Sequence, residues 1–223
     1  MHLPRFPLTA FSIATKSSSS PFISTPTDFH QWLKLKIPLA KSRVSISSLY
    51  VGVGSASAPL EREFLGALSA APPDVRMRVV MDYHRGRRAV GDTSSAEAVS
   101  AALKNTSASP HLFRVPTPAF SSLSLPSPIN EVAGVMHMKA YIVDDEMILT
   151  GANLSEEYFS DRLDRYVLFR DGAGGLVDFY ADLIEAMAEA SSVHGEPETS
   201  ETDANKRDLM RSVQELMDTH GSR

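Results

Sequence analysis

Between Gly134 and Ser155 the chain gathers an imidazole, an ammonium, a carboxylate and an amide in one short stretch, GVMHMKAYIVDDEMILTGANLS. His137 and Lys139 are one residue apart, Asp144 follows, and Gly151-Ala152-Asn153 closes the segment. These groups suit attack on a phosphodiester. A neutral imidazole can displace a leaving group from phosphorus and become a phosphohistidine. Lys139 is a compact cation able to neutralise the non-bridging oxygens as charge builds on them. The Asn153 amide can donate to the same oxygens. A carboxylate must hold the imidazole in the productive tautomer. Asp144 and Asp164 are the two candidates. Asp164 is the preferred partner of His137, and Asp144 is expected to fix the turn and its local charges.

The elements that must position these groups follow from alternation. Val135 to Val143 is rich in aliphatic and β-branched residues and reads as a strand, in which side chains alternate between faces. His137, Lys139, Tyr141 and Val143 would share one face, and Met138, Ala140 and Ile142 the other. Asp144-Asp145-Glu146 is turn-prone, and Met147 to Thr150 reads as the second strand of a hairpin. Gly151 lets the backbone bend after it. Asn153 then lies near the point where His137 and Lys139 emerge. Singly, each residue has an ordinary structural explanation. A half-buried His is commonly a satisfied core group, a strand Lys guards an edge, and an Asp ends a strand. The joint spacing is what points to chemistry.

The segment resembles the HKD motif of the phospholipase D superfamily. Within that superfamily the chain is similar to the CDP-diacylglycerol–glycerol-3-phosphate 3-phosphatidyltransferases of eukaryotic mitochondria. Ser48-Leu49-Tyr50-Val51-Gly52-Val53-Gly54, Asp82-Tyr83-His84-Arg85-Gly86-Arg87-Arg88, Gly151-Ala152-Asn153-Leu154-Ser155, Tyr158-Phe159 and Asp164-Arg165-Tyr166 carry the likeness. It runs from about Phe22 to Met187 and includes Ala152, where many phospholipase D relatives have Ser.

The resemblance implies a phospholipase D-like α/β sandwich with a mixed central sheet flanked by helices. It also implies phosphatidyl transfer from CDP-diacylglycerol to sn-glycerol 3-phosphate, with no cofactor required for the chemistry. Ser47, Ser48, Leu49, Tyr50, Val51, Gly52, Val53 and Gly54 would lie near the cytidine nucleotide. Read from the residues alone, Gly52-x-Gly54 after a strand could cradle a phosphate with backbone N–H groups or form a simple strand-end turn. Arg85, Arg87 and Arg88 could receive glycerol 3-phosphate or the diphosphate, or form a solvated loop.

Sites of this type need two HKD motifs, one His attacking and the other protonating the leaving group. His2, His30, His84, His111, His194 and His220 have no Lys two positions on. The second motif is therefore expected from a C-terminal half, another chain, or a second copy in a C2 dimer. Two rival readings follow: a dimeric single-HKD phosphodiesterase acting on nucleic acid or cardiolipin, and an inactive half-enzyme.

Composition narrows the classes further. The 223 residues can bury a real core, and no apolar run is long enough to span a bilayer. Membrane contact, at the mitochondrial inner membrane, would be peripheral. A formal net charge of −5 argues against general nucleic-acid binding, which shows a basic face. Without Cys there are no disulfides, thiolate metal sites or cysteine nucleophiles, and no metal site is expected.

Residues 1–21 hold Arg5 and Lys16, no acidic residue and many Ser and Thr, as mitochondrial targeting segments do, although Pro4, Pro7 and Pro21 oppose a helix. Residues 22–190 form the expected domain. Its helices are read at Phe29–Ala40 (capped by Thr27-Asp28), Leu60–Leu68, Ser94–Leu103 and Leu176–Ala190, and its further strands at Arg43–Tyr50, Val75–Met81, Leu112–Val115 and Tyr166–Phe169, with Phe22-Ile23-Ser24 as a first strand. Pro116 to Asn130 reads as a loop over the site. Residues 191–206 have linker composition, and residues 207–223 contain an amphipathic helix.

Overall fold

The structure is a computed structural model that describes residues 22–115, 135–170, 175–196 and 203–220. The elements run β1 Phe22–Ile23, α1 Pro26–Lys36, a 3-10 turn Ile37–Leu39, β2 Arg43–Ser48, α2 Pro59–Ser69, β3 Arg76–Asp82, α3 Tyr83–Arg87, β4 Ala89–Val90, β5 Thr93–Ser94, α4 Ser95–Ala102 and β6 Pro110–Phe113. They continue with β7 Ala140–Val143, β8 Glu146–Leu149, α5 Glu156–Ser160, β9 Tyr166–Phe169, α6 Leu176–Glu189, β10 Ser192–Val193 and α7 Asp203–His220.

Eight strands form one mixed sheet in the order β1-β9-β8-β7-β2-β3-β6-β10. The centre, β2-β3-β6, is parallel, and β7, β8, β9 and β1 add antiparallel to one side. This is the expected α/β sandwich. Its two faces are buried by different helices, and alternation along each strand sorts the side chains. Tyr141 and Val143 of β7, and Met77, Val79 and Met81 of β3, join Phe29, Leu33, Phe64, Leu68, Val99 and Phe159 from α1, α2, α4 and α5. Ala140 and Ile142 of β7, with Val80 of β3, join Val177, Ala181, Ile184 and Met187 from α6. Burial of large apolar side chains on both faces supplies roughly 1.5–3 kcal/mol for each.

Several boundaries differ from the sequence reading, each for a local reason. The cap of α1 is Thr25 rather than Thr27-Asp28. Thr25 Oγ1 accepts from Asp28 N at 3.1 Å while Asp28 Oδ2 accepts from Thr25 N at 3.1 Å, a capping box that starts the helix at Pro26. Pro38 ends regular α1 early, and Ile37–Leu39 tightens into a 3-10 turn. The strand read at Leu112–Val115 is shifted to Pro110–Phe113, where it pairs with β3. The strand read at Val135–Val143 is regular only over Ala140–Val143.

The span read as a linker is ordered at both ends. Ser192–Val193 adds as edge strand β10 beside β6, and α7 begins at Asp203, inside the span read as a linker. The expected targeting segment, residues 1–21, and the expected loop, Pro116 to Asn130, lie outside the described residues. No helix among the described residues is long and apolar enough to cross a membrane.

Candidate active site

Strand polarity decides where chemistry can assemble. The carboxyl ends of β2, β3 and β6 lie at one edge of the sheet. Antiparallel pairing brings the start of β7 (Ala140 opposite Ser47) and the end of β8 (Leu149 opposite Ala140) to that same edge. His137, Lys139, Gly151, Asn153, Asp164, Ser48–Gly54 and Asp82–Arg88 therefore converge there. This is the edge at which open α/β sheets bind ligands.

His137 is exposed, and Lys139 is 4 % exposed. The segment before β7 is not hydrogen-bonded as a strand, yet alternation persists, because Met136 and Met138 pack with Ala140 and Ile142 on the α6 face. Lys139 Nζ donates to the His137 carbonyl at 3.0 Å. Burial lowers the Lys139 pKa to about 8, against an opposing pull from the nearby Asp164 carboxylate. Burial and the Lys139 charge both push the His137 imidazole below its ordinary value, which favours its neutral form.

The Gly151–Leu154 turn is clamped from three sides. Asp164 Oδ1 accepts from Gly151 N at 3.0 Å and from Arg165 N at 2.6 Å. A side chain at position 151 would place its Cβ 2.7 Å from Asp164 Oδ2, so the exposed carboxylate would have to shift to admit one. The fully buried Tyr141 hydroxyl donates to the Ala152 carbonyl at 2.6 Å. Gly52 N donates to the Leu154 carbonyl at 2.6 Å, beside a parallel bridge between Val51 and Leu154. Between these clamps Asn153 is 3 % exposed, and its Oδ1 is buried without a hydrogen-bond partner among the described residues. Such a group is costly unless the site uses it.

The two carboxylate candidates separate cleanly. Asp144 sits at the opposite edge of the sheet, in the β7–β8 turn with φ 53°. Its oxygens accept from Lys41 N, Ser42 N, Ser42 Oγ and Arg43 N. Burial works against this carboxylate, but those hydrogen bonds outweigh it and hold its pKa below the usual range. Asp144 is a turn-fixing residue and does not join His137 and Lys139. Asp164 does lie at the same edge as His137, but its bonds go to Gly151, Arg165 and Thr150. Among the described residues the His137 imidazole makes no hydrogen bond.

The Gly52 and Gly54 N–H groups are both engaged within the fold, which favours the strand-end turn over the phosphate cradle. Gly54 N donates to Glu61 Oε2 at 3.0 Å, and Gly52 N is committed to Leu154. A buried carboxylate in that position repels an anion. Gly52 is required because a Cβ there would overlap the Glu61 side chain. In the rest of the segment expected near the nucleotide, Ser47 Oγ donates to the Met138 carbonyl and Ser48 Oγ to that of Tyr50. The Tyr50 ring faces the site edge beneath the Arg85 guanidinium, 5.0 Å from its centroid.

The arginines lie on a single helical turn, not a loop. Asp82 caps α3 by accepting from His84 N and Arg85 N. Arg87 and Arg114 both stack on Tyr83, at 4.9 and 3.9 Å from the ring centroid. Arg88 is the C-cap. Sequence reasoning missed Asp82, Glu61 and Arg114. Asp82, next to Tyr-His-Arg, carried a helix-cap signal. Glu61 and Arg114 carried none, because their roles arise from contacts distant in sequence.

No family model matches the chain. Curated relatives do. The mitochondrial CDP-diacylglycerol–glycerol-3-phosphate 3-phosphatidyltransferase of Gallus gallus is 34 % identical over 187 residues, covering 78 % of this chain and 32 % of its own length. The protein of the same name from Homo sapiens is 33 % identical with the same coverage. The CDP-diacylglycerol–glycerol-3-phosphate 3-phosphatidyltransferase of Saccharomyces pastorianus is 31 % identical, covering 88 % of this chain and 40 % of its own. This chain is a relative of these phosphatidyltransferases. It spans about a third of the length of the curated relatives it matches.

Two solved structures share the fold. Phosphatidylserine synthase of Haemophilus influenzae Rd KW20 superposes with a TM-score of 0.62 at 20 % identity, covering 89 % of this chain and 44 % of that one. NucT from Helicobacter pylori gives 0.55 at 16 % identity, covering 75 % and 92 %. The chain shares the mixed α/β architecture of these two proteins.

Proposed function

We propose that this chain contributes the nucleophile-bearing half of a phosphatidyltransferase site that uses CDP-diacylglycerol and sn-glycerol 3-phosphate. The relationship to proteins named for that activity carries the reading. The convergence of His137, Lys139 and Asn153 at the carboxyl edge of the sheet supports it. His137 attacks the phosphatidyl phosphorus, the bond to the cytidylate oxygen breaks, and CMP leaves. The primary hydroxyl of glycerol 3-phosphate then attacks the phosphohistidine, its proton passing to the second-motif group that protonated CMP. This releases phosphatidylglycerophosphate and returns the imidazole to its starting state.

Lys139 and Asn153 stabilise the charge on the non-bridging oxygens in both steps. The proton taken up by CMP comes from a second HKD motif, in another polypeptide segment or a second copy. The scheme routes no step through a metal or cofactor. The Arg85, Arg87, Arg88 and Arg114 group offers planar cations for the acceptor phosphate or the diphosphate.

The setting would be mitochondrial, as in the animal relatives' names, at the surface of the inner membrane. The test is turnover in a preparation that releases CMP from CDP-diacylglycerol. His137→Ala is expected to bring CMP release to background, and retained release in that variant would overturn the proposal.

A further inference from the structure

We infer that Asp82 is a positioning residue for His137, holding the nucleophile's backbone and the arginine-bearing helix α3 to one buried carboxylate. The inference rests on the reading of His137 as the nucleophile. Asp82 ends β3 and is 1 % exposed. Its Oδ1 accepts from His84 N at 3.0 Å and Arg85 N at 2.9 Å. Its Oδ2 accepts from Met136 N at 2.8 Å, 54 residues away in the chain. Each oxygen thus serves a different segment, and Met136 is the residue immediately before His137.

The surroundings explain why this tether matters. Regular strand pairing of the HKD segment begins only at Ala140, so residues 135–139 lack the ladder that holds β7. Among the described residues their polar anchors are few. Met136 N is held by Asp82, the Met138 carbonyl by Ser47 Oγ at 3.1 Å, and the Lys139 carbonyl by Thr150 N at 3.4 Å. The imidazole makes no hydrogen bond among the described residues, so its placement depends on its backbone. A charge-assisted bond from a buried carboxylate is the strongest kind available to an irregular segment. The same carboxylate starts α3, so Arg85 and Arg87 keep a set position relative to His137. A shift of about 1 Å in a nucleophile can cost on the order of 10²-fold in rate, which makes one tether consequential.

Two substitutions separate the cap from the tether. Asp82→Ser keeps an oxygen able to cap α3 but cannot serve both segments. Asp82→Asn keeps the shape but turns an NH2 toward one of the two sets of N–H donors. The readouts are backbone amide exchange and the titration of the His137 imidazole by NMR, with circular dichroism to verify the fold. In the parent chain the Met136 amide should exchange slowly, with protection matching that of His84 and Arg85.

In folded Asp82→Ser the Met136 amide should become fast. The His137 titration midpoint should move up, because the segment loses burial and its proximity to Lys139. Asp82→Asn should do the same. In a CMP-releasing preparation, kcat should fall on the order of 10²-fold with KM nearly unchanged. An unprotected Met136 amide in the parent chain would overturn the inference even if neither variant folds. So would an unchanged His137 midpoint in a folded variant. Neither NMR readout needs turnover, so failure of the nucleophile reading is seen separately, in His137→Ala.

Discussion

Gly52→Ala tests whether the Ser47–Gly54 segment is built for structure or for a ligand. An added Cβ overlaps Glu61 Cδ and Oε1 and comes within 2.5 Å of Cγ, so the Glu61 side chain must rotate away. Glu61 is 9 % exposed, and its carboxylate accepts from Gly54 N and Glu156 N, both at 3.0 Å. Rotation breaks both bonds. Hydrogen bonds to charged groups contribute about 1.5–3 kcal/mol each, so the expected loss is about 3–6 kcal/mol, the lower end applying where water reaches the freed N–H groups. Urea denaturation of the parent chain, Gly52→Ala, Glu61→Ala and the double variant measures it. Once Glu61 is truncated the clash disappears, so the double variant should be no less stable than Glu61→Ala. The cycle should therefore show non-additivity of about 3 kcal/mol or more. A Gly52→Ala variant within about 0.5 kcal/mol of the parent, or additive effects, would mean that Glu61 does not depend on glycine at this position.

Other expectations follow from the same geometry. Lys139 loses its charge as pH rises through about 8, so transfer should fall on the alkaline side with that midpoint, measured as kcat against pH. Asp164→Asn removes the charge that raises the Lys139 pKa, so this limb should move to lower pH. In the free chain a Lys protonating more weakly when folded than when unfolded makes stability rise with pH between the two pKa values. Asp144→Ala removes the acceptor of four backbone and hydroxyl donors and should cost about 2–4 kcal/mol in urea denaturation, without moving the His137 titration. Because the Asp144 carboxylate is held low in the fold, its stabilising contribution should be present at neutral pH and fade as pH falls through its folded pKa.

Much of the fold was legible where burial enforces a period. Tyr166–Phe169 matches its strand, and Leu176 and the helix after it match α6, because each pattern is continuous and its neighbours end it cleanly. The HKD strand was read five residues too long, since alternation of Met136, Met138 and Ala140 reflects packing on α6 and continues where pairing stops. The placement of Asp144 as a turn former was legible from its neighbours. The partner of the His137 imidazole was not, because Asp164 is engaged by Gly151 and Arg165. The Gly-x-Gly segment left a turn and a phosphate cradle both open for a related reason. A glycine demanded by a side chain packed against it is indistinguishable in sequence from one that admits a phosphate, and only the Glu61 contact separates them. Asp82 and Glu61 act through contacts 54 and 95 residues away, beyond any local pattern.

The central claim is that His137 carries the phosphatidyl group. A CMP-releasing preparation, given CDP-diacylglycerol without glycerol 3-phosphate and quenched under alkaline conditions that preserve phosphoramidates, can be digested and its peptides weighed. The account predicts a phosphatidyl adduct on the peptide containing His137, absent from His137→Ala and discharged when glycerol 3-phosphate is added. An adduct on another residue, or one that persists in His137→Ala, would contradict it.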